Sequence, residues 1–540
     1  MRGADLNRRS NQSPVPAAAE LAAALTAIVG DQYVRVDEPS RRLHSEDIFH
    51  GADALVAVVV APASIEQLRE VVQAIHGSGF CIAPRGAGMS YTGGYIPVNA
   101  RTISLDLSRM NRILDISRDD MTVTVEAGVT WKALSEALAR EGLRTPFWGP
   151  MSGLRSTVGG GVSQLNAVLG AGHYGTSSES VVALSMVLSD GRVLRTGARG
   201  LDGARPFYRH YGPDLTGLFC GDCGVFGVKA QITLRLIALP AHEDYASFAF
   251  PTGTALLQAM AAIARAGVAS ETCAFDPGLT AVRLARASLA SDVKTLGAVI
   301  SKEKSFGRGV LSAAKIAMGG RKFVDDEQYP LHVICEGRSA AAVQSDIAEV
   351  RHIAAAAGGA EIPNTIAKVI RSMPFPELNS IVGPDGESWV PVHGVVSLSN
   401  APKALADIQA LFSKMAEAHS TTGIKTGFLF TTLSSNAIIV EPVFYWPNGW
   451  RPIHAATIEP AHLARLTQRP ENPQVTELVA ETIKRVIEIF TRYGAGHFQI
   501  GRSYPYRQSK DAASVELLDA IKQCLDPDRT LNPGVLGFPP

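Results

Sequence analysis

The sequence predicts an α+β protein in which a glycine-rich first domain is followed by a cap-like second one. Three observations predict it. From about Leu55, short apolar strands alternate with amphipathic helices; three glycine-dense segments interrupt this region before Pro240; and beyond Pro240 the texture turns alanine-rich and helical, with isolated strands between the helices. At 540 residues, 46% of them hydrophobic, the chain is long enough for two or three domains and for a small molecule enclosed between them.

The elements follow in order. The first twenty or so residues, MRGADLNRRSNQSPVPAAAE, are polar, basic and proline-bearing, and read as a tail that leads into a helix before residue 50. ALVAVVVAP, SIEQLREVVQAIHGSG and FCIAPRGAG form a β-α-β unit: Ser64 caps the helix with Gln67 three residues on, and the second strand runs directly into glycines. RTISLDLS, DMTVTVEAG and TWKALSEALAREG add two strands and a helix. VVALSMVLSDGRVLRTG and GVKAQITLRLIALP, rich in valine, isoleucine and leucine, suit buried sheet and close the region near Pro240. The first domain is therefore bounded at 51–240 and the cap at 241–495, with LHVICEG, WVPVHGVVSLS and NAIIVEPVFYW as cap strands. The helix VTELVAETIKRVIEIFTRYGAG stops at glycines, and 496–540 forms a C-terminal segment that ends in a proline- and glycine-marked turn.

Composition excludes several functions. Fifty-one basic and 51 acidic side chains cancel, so no whole-molecule field draws the chain to nucleic acid or to an anionic membrane, and anion recognition must be local. Six cysteines are too sparse for a disulfide scaffold, and the N-terminus has no apolar signal core, which points to the reducing cytoplasm. No apolar run has the length of a bilayer span, so membrane contact would be peripheral, at the inner face.

The glycine segments are PRGAGMSYTGG at 84–94, GPMSGLRSTVGGGVSQ at 149–164 and GDCGVFGV at 221–228. Glycines let backbone N–H groups approach an anion and allow the positive φ that aims successive amides at one point, so a diphosphate is the natural guest. No Lys-Ser/Thr pair follows these glycines, which removes a P-loop; Gly86 and Gly88 begin a G-x-G-x-x-G, but its sixth position is Tyr91. Cys220 and Cys223 have C-x-x-C spacing without a second pair, and the adjacent glycines account for the segment as a turn, not as a zinc or redox site.

Taken together, PRGAGMSYTGG, STVGGGVSQ, GPDLTGLFCGDCGVFGV and the terminal LDPDRTLNPG resemble, in order, the signature segments of FAD-linked oxidases of the p-cresol methylhydroxylase and vanillyl-alcohol oxidase type. The resemblance implies two small α+β lobes holding an extended FAD, with an α+β cap of antiparallel sheet and helices over the isoalloxazine. Carried over by position, Arg85, Gly86, Ala87, Gly88, Met89, Ser90 and Gly93 would wrap the diphosphate. Pro150, Ser152, Thr157, Gly159, Gly160 and Val162 would line the ribityl chain and ring, His173, Tyr174 and Gly175 would form a later turn, Gly224, Gly227 and Val228 would meet the adenine end, and Asn532 would approach the ring. Many members attach FAD through a histidine where this chain has Met89, and a thioether cannot form that link, so non-covalent FAD is expected, with His50 as an alternative attachment point.

Within that family the chain is similar to the glycolate and D-lactate dehydrogenase branch. The resemblance implies oxidation of the carbinol carbon of a small hydroxy acid, with electrons passed to a quinone, a cytochrome, a flavoprotein or oxygen. The candidate catalytic residues are His497 and His393 as bases, Arg502 or Arg507 as carboxylate clamp, and Tyr504. Laying TTLSSNAI on the metal-binding strand of some members puts Thr431 and Ile438 where histidines would stand, so no metal is expected. Two other chemistries stay open. A phenol or benzylic alcohol oxidase would replace its usual Tyr-Arg anchor, which falls at Phe498 and Gln499, with Tyr504, Tyr506 or Phe444 to Trp446; a lyase or synthase would use FAD without net oxidation. A homodimer is compatible with the resemblance.

Overall fold

The computed structural model describes residues 16–286 and 327–540. Its first lobe is a four-stranded sheet in the order Val34–Arg35, Val58–Val60, Thr102–Asp106, Cys81–Arg85. The expected β-α-β unit is present with one refinement. Val58–Val60 and Cys81–Arg85 are not neighbours; each runs parallel to Thr102–Asp106, which lies between them. Helix Ile65–Ile75 covers this sheet with Leu68, Val71, Val72 and Ile75, and its Ser64 hydroxyl caps the Gln67 N–H at 3.3 Å. The expected tail needs correction. Helix Pro16–Val29 takes in residues 16–20, because its alanines and leucines bury Ala18, Leu21 and Leu25 in the same core; the rest of the predicted tail, 1–15, lies outside the described residues.

The second lobe is an antiparallel sheet in the order Ile113–Ser117, Thr122–Glu126, Val228–Arg235, Val181–Val187, Val193–Arg195. VVALSMVLSDGRVLRTG is thus two strands, turned at Gly191 with φ +81°.

The cap is one antiparallel sheet in the order Ala360–Ile362, His242–Phe250, Tyr329–Gly337, Glu271–Phe275, Lys425–Leu433, Ala437–Trp446, Ser388–Pro391, with Gly394–Ser397 also paired to Ala437–Trp446. Strand alternation divides its side chains. Phe428, Phe430, Val440, Phe444 and Trp446 enter the main core, where helices Gly253–Ala266, Ala401–Lys414 and Pro473–Arg492 also bury their apolar stripes. Leu429, Glu441, Val443 and Tyr445 alternate with these and face the cavity beneath the sheet.

Buried charges bind the two halves. Arg144 of the second lobe grips Glu336 of the cap through Nη1 at 2.8 Å, Arg371 reaches both Glu336 and Glu271, and Glu271 accepts the Gly170 N–H at 2.9 Å and the Trp148 indole N–H at 3.1 Å. The C-terminal segment returns as expected in outline: Gly496 bridges to Val395 and Leu531 to Ile82, so the last residues close the floor of the first lobe.

Candidate functional site

A cavity of about 350 Å³ runs between the glycine segments and the open face of the cap sheet. One end is built by the loop after strand Cys81–Arg85. A Cβ on Gly88, which has φ +74°, would overlap the Arg85 guanidinium, and one on Gly159 would lie 2.6 Å from the Ala127 Cβ. The chain therefore passes close to its neighbours and leaves room for a guest. Among the described residues, no acceptor takes the N–H groups of residues 86–90, and the buried Arg85 Nε is also without a partner. Five amides and one guanidinium N–H left unsatisfied at a cavity wall match the oxygens of a diphosphate, so these residues fit the nucleotide end of FAD.

Arg85, Gly86, Ala87, Gly88, Met89, Ser90, Pro150, Ser152, Thr157, Gly159, Gly160, Gly224, Gly227 and Val228 all line the cavity. Gly93, Val162, His173, Tyr174, Gly175 and Asn532 do not. The Gly93 N–H is held by the buried Asp47 carboxylate at 2.6 Å, and Val162 points from helix Val158–Gln164 into the core. His173 is exposed and Tyr174 lies beneath Arg235, both on a short helix whose Gly170 and Gly172 amides are bound by the cap. Asn532 acts from behind: its amide donates to Gly94 O and Cys223 O, each at 2.7 Å, and so ties two glycine segments together. His50 is engaged by Asp47 at 3.2 Å and is not at the wall.

The cap end holds a polar cluster around His393. His393 was read on a continuous strand, but WVPVHGVVS breaks into Ser388–Pro391 and Gly394–Ser397, and His393 sits in the break with its ring in the cavity wall. Its Nε2 meets the Tyr91 hydroxyl, its Nδ1 lies 3.2 Å from the Tyr504 hydroxyl, and Phe498 stacks on it at 4.1 Å. Gln499 donates to Tyr91 Oη at 3.1 Å. Glu441 Oε2 is 3.9 Å from His393 Nε2. Burial pushes the Glu441 carboxyl up to about 8, against the opposing pull of Arg283, and burial with repulsion from His497 holds His393 down at about 3. The contact at neutral pH is therefore a carboxylic acid beside a neutral imidazole, not an ion pair. The 18% of Glu441 that remains accessible is surface on the cavity itself.

Of the five residues expected to be catalytic, four stand outside the cavity wall and His393 lies in it. His497 Nδ1 bonds the His393 carbonyl at 2.7 Å and its ring stacks on Tyr504 at 4.2 Å, while the Tyr504 hydroxyl accepts the His393 N–H at 2.8 Å; both support His393 from outside the wall. Arg502 is turned away because its segment pairs with the loop below the cavity: its N–H reaches Thr92 O, and its guanidinium donates to Ile96 O at 2.9 Å and Pro533 O at 3.0 Å. Arg507 pairs with Asp519. Among the described residues, Arg283 of helix Pro277–Arg286 borders the cavity from the cap side with an exposed side chain, its guanidinium carbon 3.9 Å from the Phe275 ring centroid. The sequence gives Tyr91 and Arg283 no role, and Glu441 opens EPVFYWPNGW, a stretch where a base or anchor is expected. Glu441 had a legible signal, a lone carboxylate at an alternating position of an apolar ten-residue strand. Of the aromatic run, Tyr445 faces the cavity while Phe444 and Trp446 enter the core. Cys220 and Cys223 are free thiols, and no metal-holding cluster of His, Cys, Asp or Glu occurs among the described residues.

Compared with known families, residues 56–197 match an FAD binding domain, and residues 239–536 match the FAD linked oxidases, C-terminal domain. The chain belongs to the FAD-linked oxidases. This oxidase is 32% identical over 243 residues to a probable mitochondrial D-lactate dehydrogenase of Danio rerio, a match covering 45% of the chain and 47% of that relative. The chain thus spans less than half the length of that relative. It is 22% identical over 524 residues to glycolate oxidase subunit GlcD of Bacillus subtilis, covering 94% and 97%. Among solved structures, p-cresol methylhydroxylase with substrate bound superposes with a TM-score of 0.75 over 98% of both chains at 16% identity, a likeness of fold. No helix among the described residues is long and apolar enough to cross a membrane.

Proposed function

We propose that this FAD-linked oxidase removes two electrons from the CH–OH group of a 2-hydroxy acid, yielding the 2-oxo acid. The observation that carries the reading is the Glu441 carboxyl, poised near 8, beside Tyr91 and His393 in the cavity wall and within the field of Arg283. Bound FAD would supply the acceptor for the hydride from the carbinol carbon, and a quinone, cytochrome, flavoprotein or oxygen would then take the electrons. The chain's own residues do the rest. Glu441 as carboxylate accepts the hydroxyl proton, Tyr91 and His393 orient the substrate oxygen, and Arg283 pairs with the substrate carboxylate in place of Arg502. Names of the relatives, D-lactate dehydrogenase and glycolate oxidase, point to the same class. The aromatic wall of Tyr91, Trp389 and Tyr445 favours a second reading, a para-substituted phenol or benzylic alcohol.

The test is anaerobic mixing of the flavin-loaded protein with D- and L-2-hydroxy acids and with para-substituted phenols while the visible flavin band is followed. Bleaching by hydroxy acids supports the first reading, bleaching by phenols alone supports the second, and a band that no compound bleaches sinks both in favour of a lyase or synthase. Arg283→Met should raise KM for a hydroxy acid by roughly 10²-fold while changing kcat less, the size of one lost charge-assisted pair. Acid precipitation should leave the flavin in the supernatant, because Met89 stands at the loop and His50 is held by Asp47. A yellow pellet would show covalent attachment.

A further inference from the structure

We propose that the hydroxy acid carries an aryl or similarly bulky apolar substituent on its carbinol carbon, seated against Trp389, Tyr445, Val443, Leu429 and Leu279. This inference rests on the hydroxy-acid reading above. It starts from the register of the cap sheet. Glu441, Val443 and Tyr445 share one face of strand Ala437–Trp446; Leu429 lies opposite Glu441, and Trp389 opposite Tyr445. A group held at Glu441 therefore has an apolar surface on two sides of it.

Most of that surface lies apart from the main core of the cap, with Trp389 touching both. Phe275, Leu279, Val282, Val443 and Tyr445 form their own apolar cluster, with Leu429, Trp389 and Cys273 packed against it. Trp389 and Leu429 are only half-buried and border the cavity. Helix Pro277–Arg286 covers Phe275, Val443 and Tyr445 on this side through Leu279 and Val282, and the cavity borders what the helix leaves open, chiefly Trp389 and Leu429. A two- or three-carbon acid would reach Glu441 and Arg283 and leave the half-buried Trp389 and Leu429 surfaces facing the open cavity. Filling them is worth roughly fourfold in kcat/KM for each methylene removed from water.

The experiment uses the flavin-loaded full chain and follows anaerobic bleaching by D-lactate, D-2-hydroxyisocaproate and D-3-phenyllactate. The expected order of kcat/KM is phenyllactate, then hydroxyisocaproate, then lactate, with about 10²-fold between the extremes. Bleaching in which lactate equals or exceeds phenyllactate overturns the inference and leaves the hydroxy-acid reading standing. No bleaching by any of the three overturns both. Unreactive analogues supply a second measurement on the wild-type protein: phenylacetate should perturb the flavin band at a Kd at least tenfold below that of acetate, and equal values count against the apolar seat. In Val443→Phe, which fills the seat, the phenyllactate-to-lactate ratio should fall at least tenfold.

Discussion

Replacing Glu441 by glutamine is expected to lower kcat for a hydroxy acid by roughly 10³-fold, within the range typical of a positioned general base. The wild-type profile should rise with pH through about 8, because only the ionised carboxylate accepts a proton and burial sets its ionisation there. Glu441→Gln should lose that rising limb, and an unchanged limb would move the base elsewhere. Stability should respond in the opposite sense. The Glu441 carboxyl is raised from its ordinary 4.5 to about 8, so between those values the folded protein holds a proton that the unfolded chain has lost, and stability falls as pH rises through that window. Glutamine keeps the shape and removes the titration. The variant should therefore melt ~1–2 °C above the wild type at pH 9 and match it at pH 4, as followed by thermal unfolding. A gain in stability with a loss of turnover is the mark of a group strained for chemistry, and a purely structural carboxyl would not separate the two.

The second large effect is expected at the other end of the cavity. Arg85→Met should weaken FAD binding by 10²-fold or more, giving protein that folds yet purifies pale, as read by equilibrium titration of flavin into the apo form. The reasoning is electrostatic. The Arg85 guanidinium is buried beside the Tyr95 ring, its Nε lacks a partner, and residues 86–90, whose amides have no acceptor among the described residues, line the same cavity. Methionine keeps the volume and removes the charge-assisted hydrogen bonds, each worth about 1.5–3 kcal/mol. Undiminished affinity would show that the amides alone hold the diphosphate. Met89, two residues before Tyr91, sits in the same loop, so one short segment contributes both to nucleotide binding and to the polar cluster around His393.

The sequence by itself determined the class of the fold, the helix cap at Ser64 and the glycine loops, because each depends on neighbours in the chain. Strand alternation, capping and positive φ are local properties, and a phosphate cradle is made of consecutive amides. His393 was legible as a candidate for the same reason, a histidine amid apolar strand residues. Only the tertiary structure decided which arginine and which carboxylate share its cavity. The pairing of residues 499–502 with the glycine loop turns Arg502 away, while Arg283, exposed on helix Pro277–Arg286, borders the cavity. Glu441 acquires its chemistry from burial beneath segments far along the chain, among them Tyr91, some 350 residues before it. The strand pattern makes Glu441 visible as a lone carboxylate, but desolvation by distant parts of the chain leaves no local pattern, so its raised ionisation was set only by the tertiary structure.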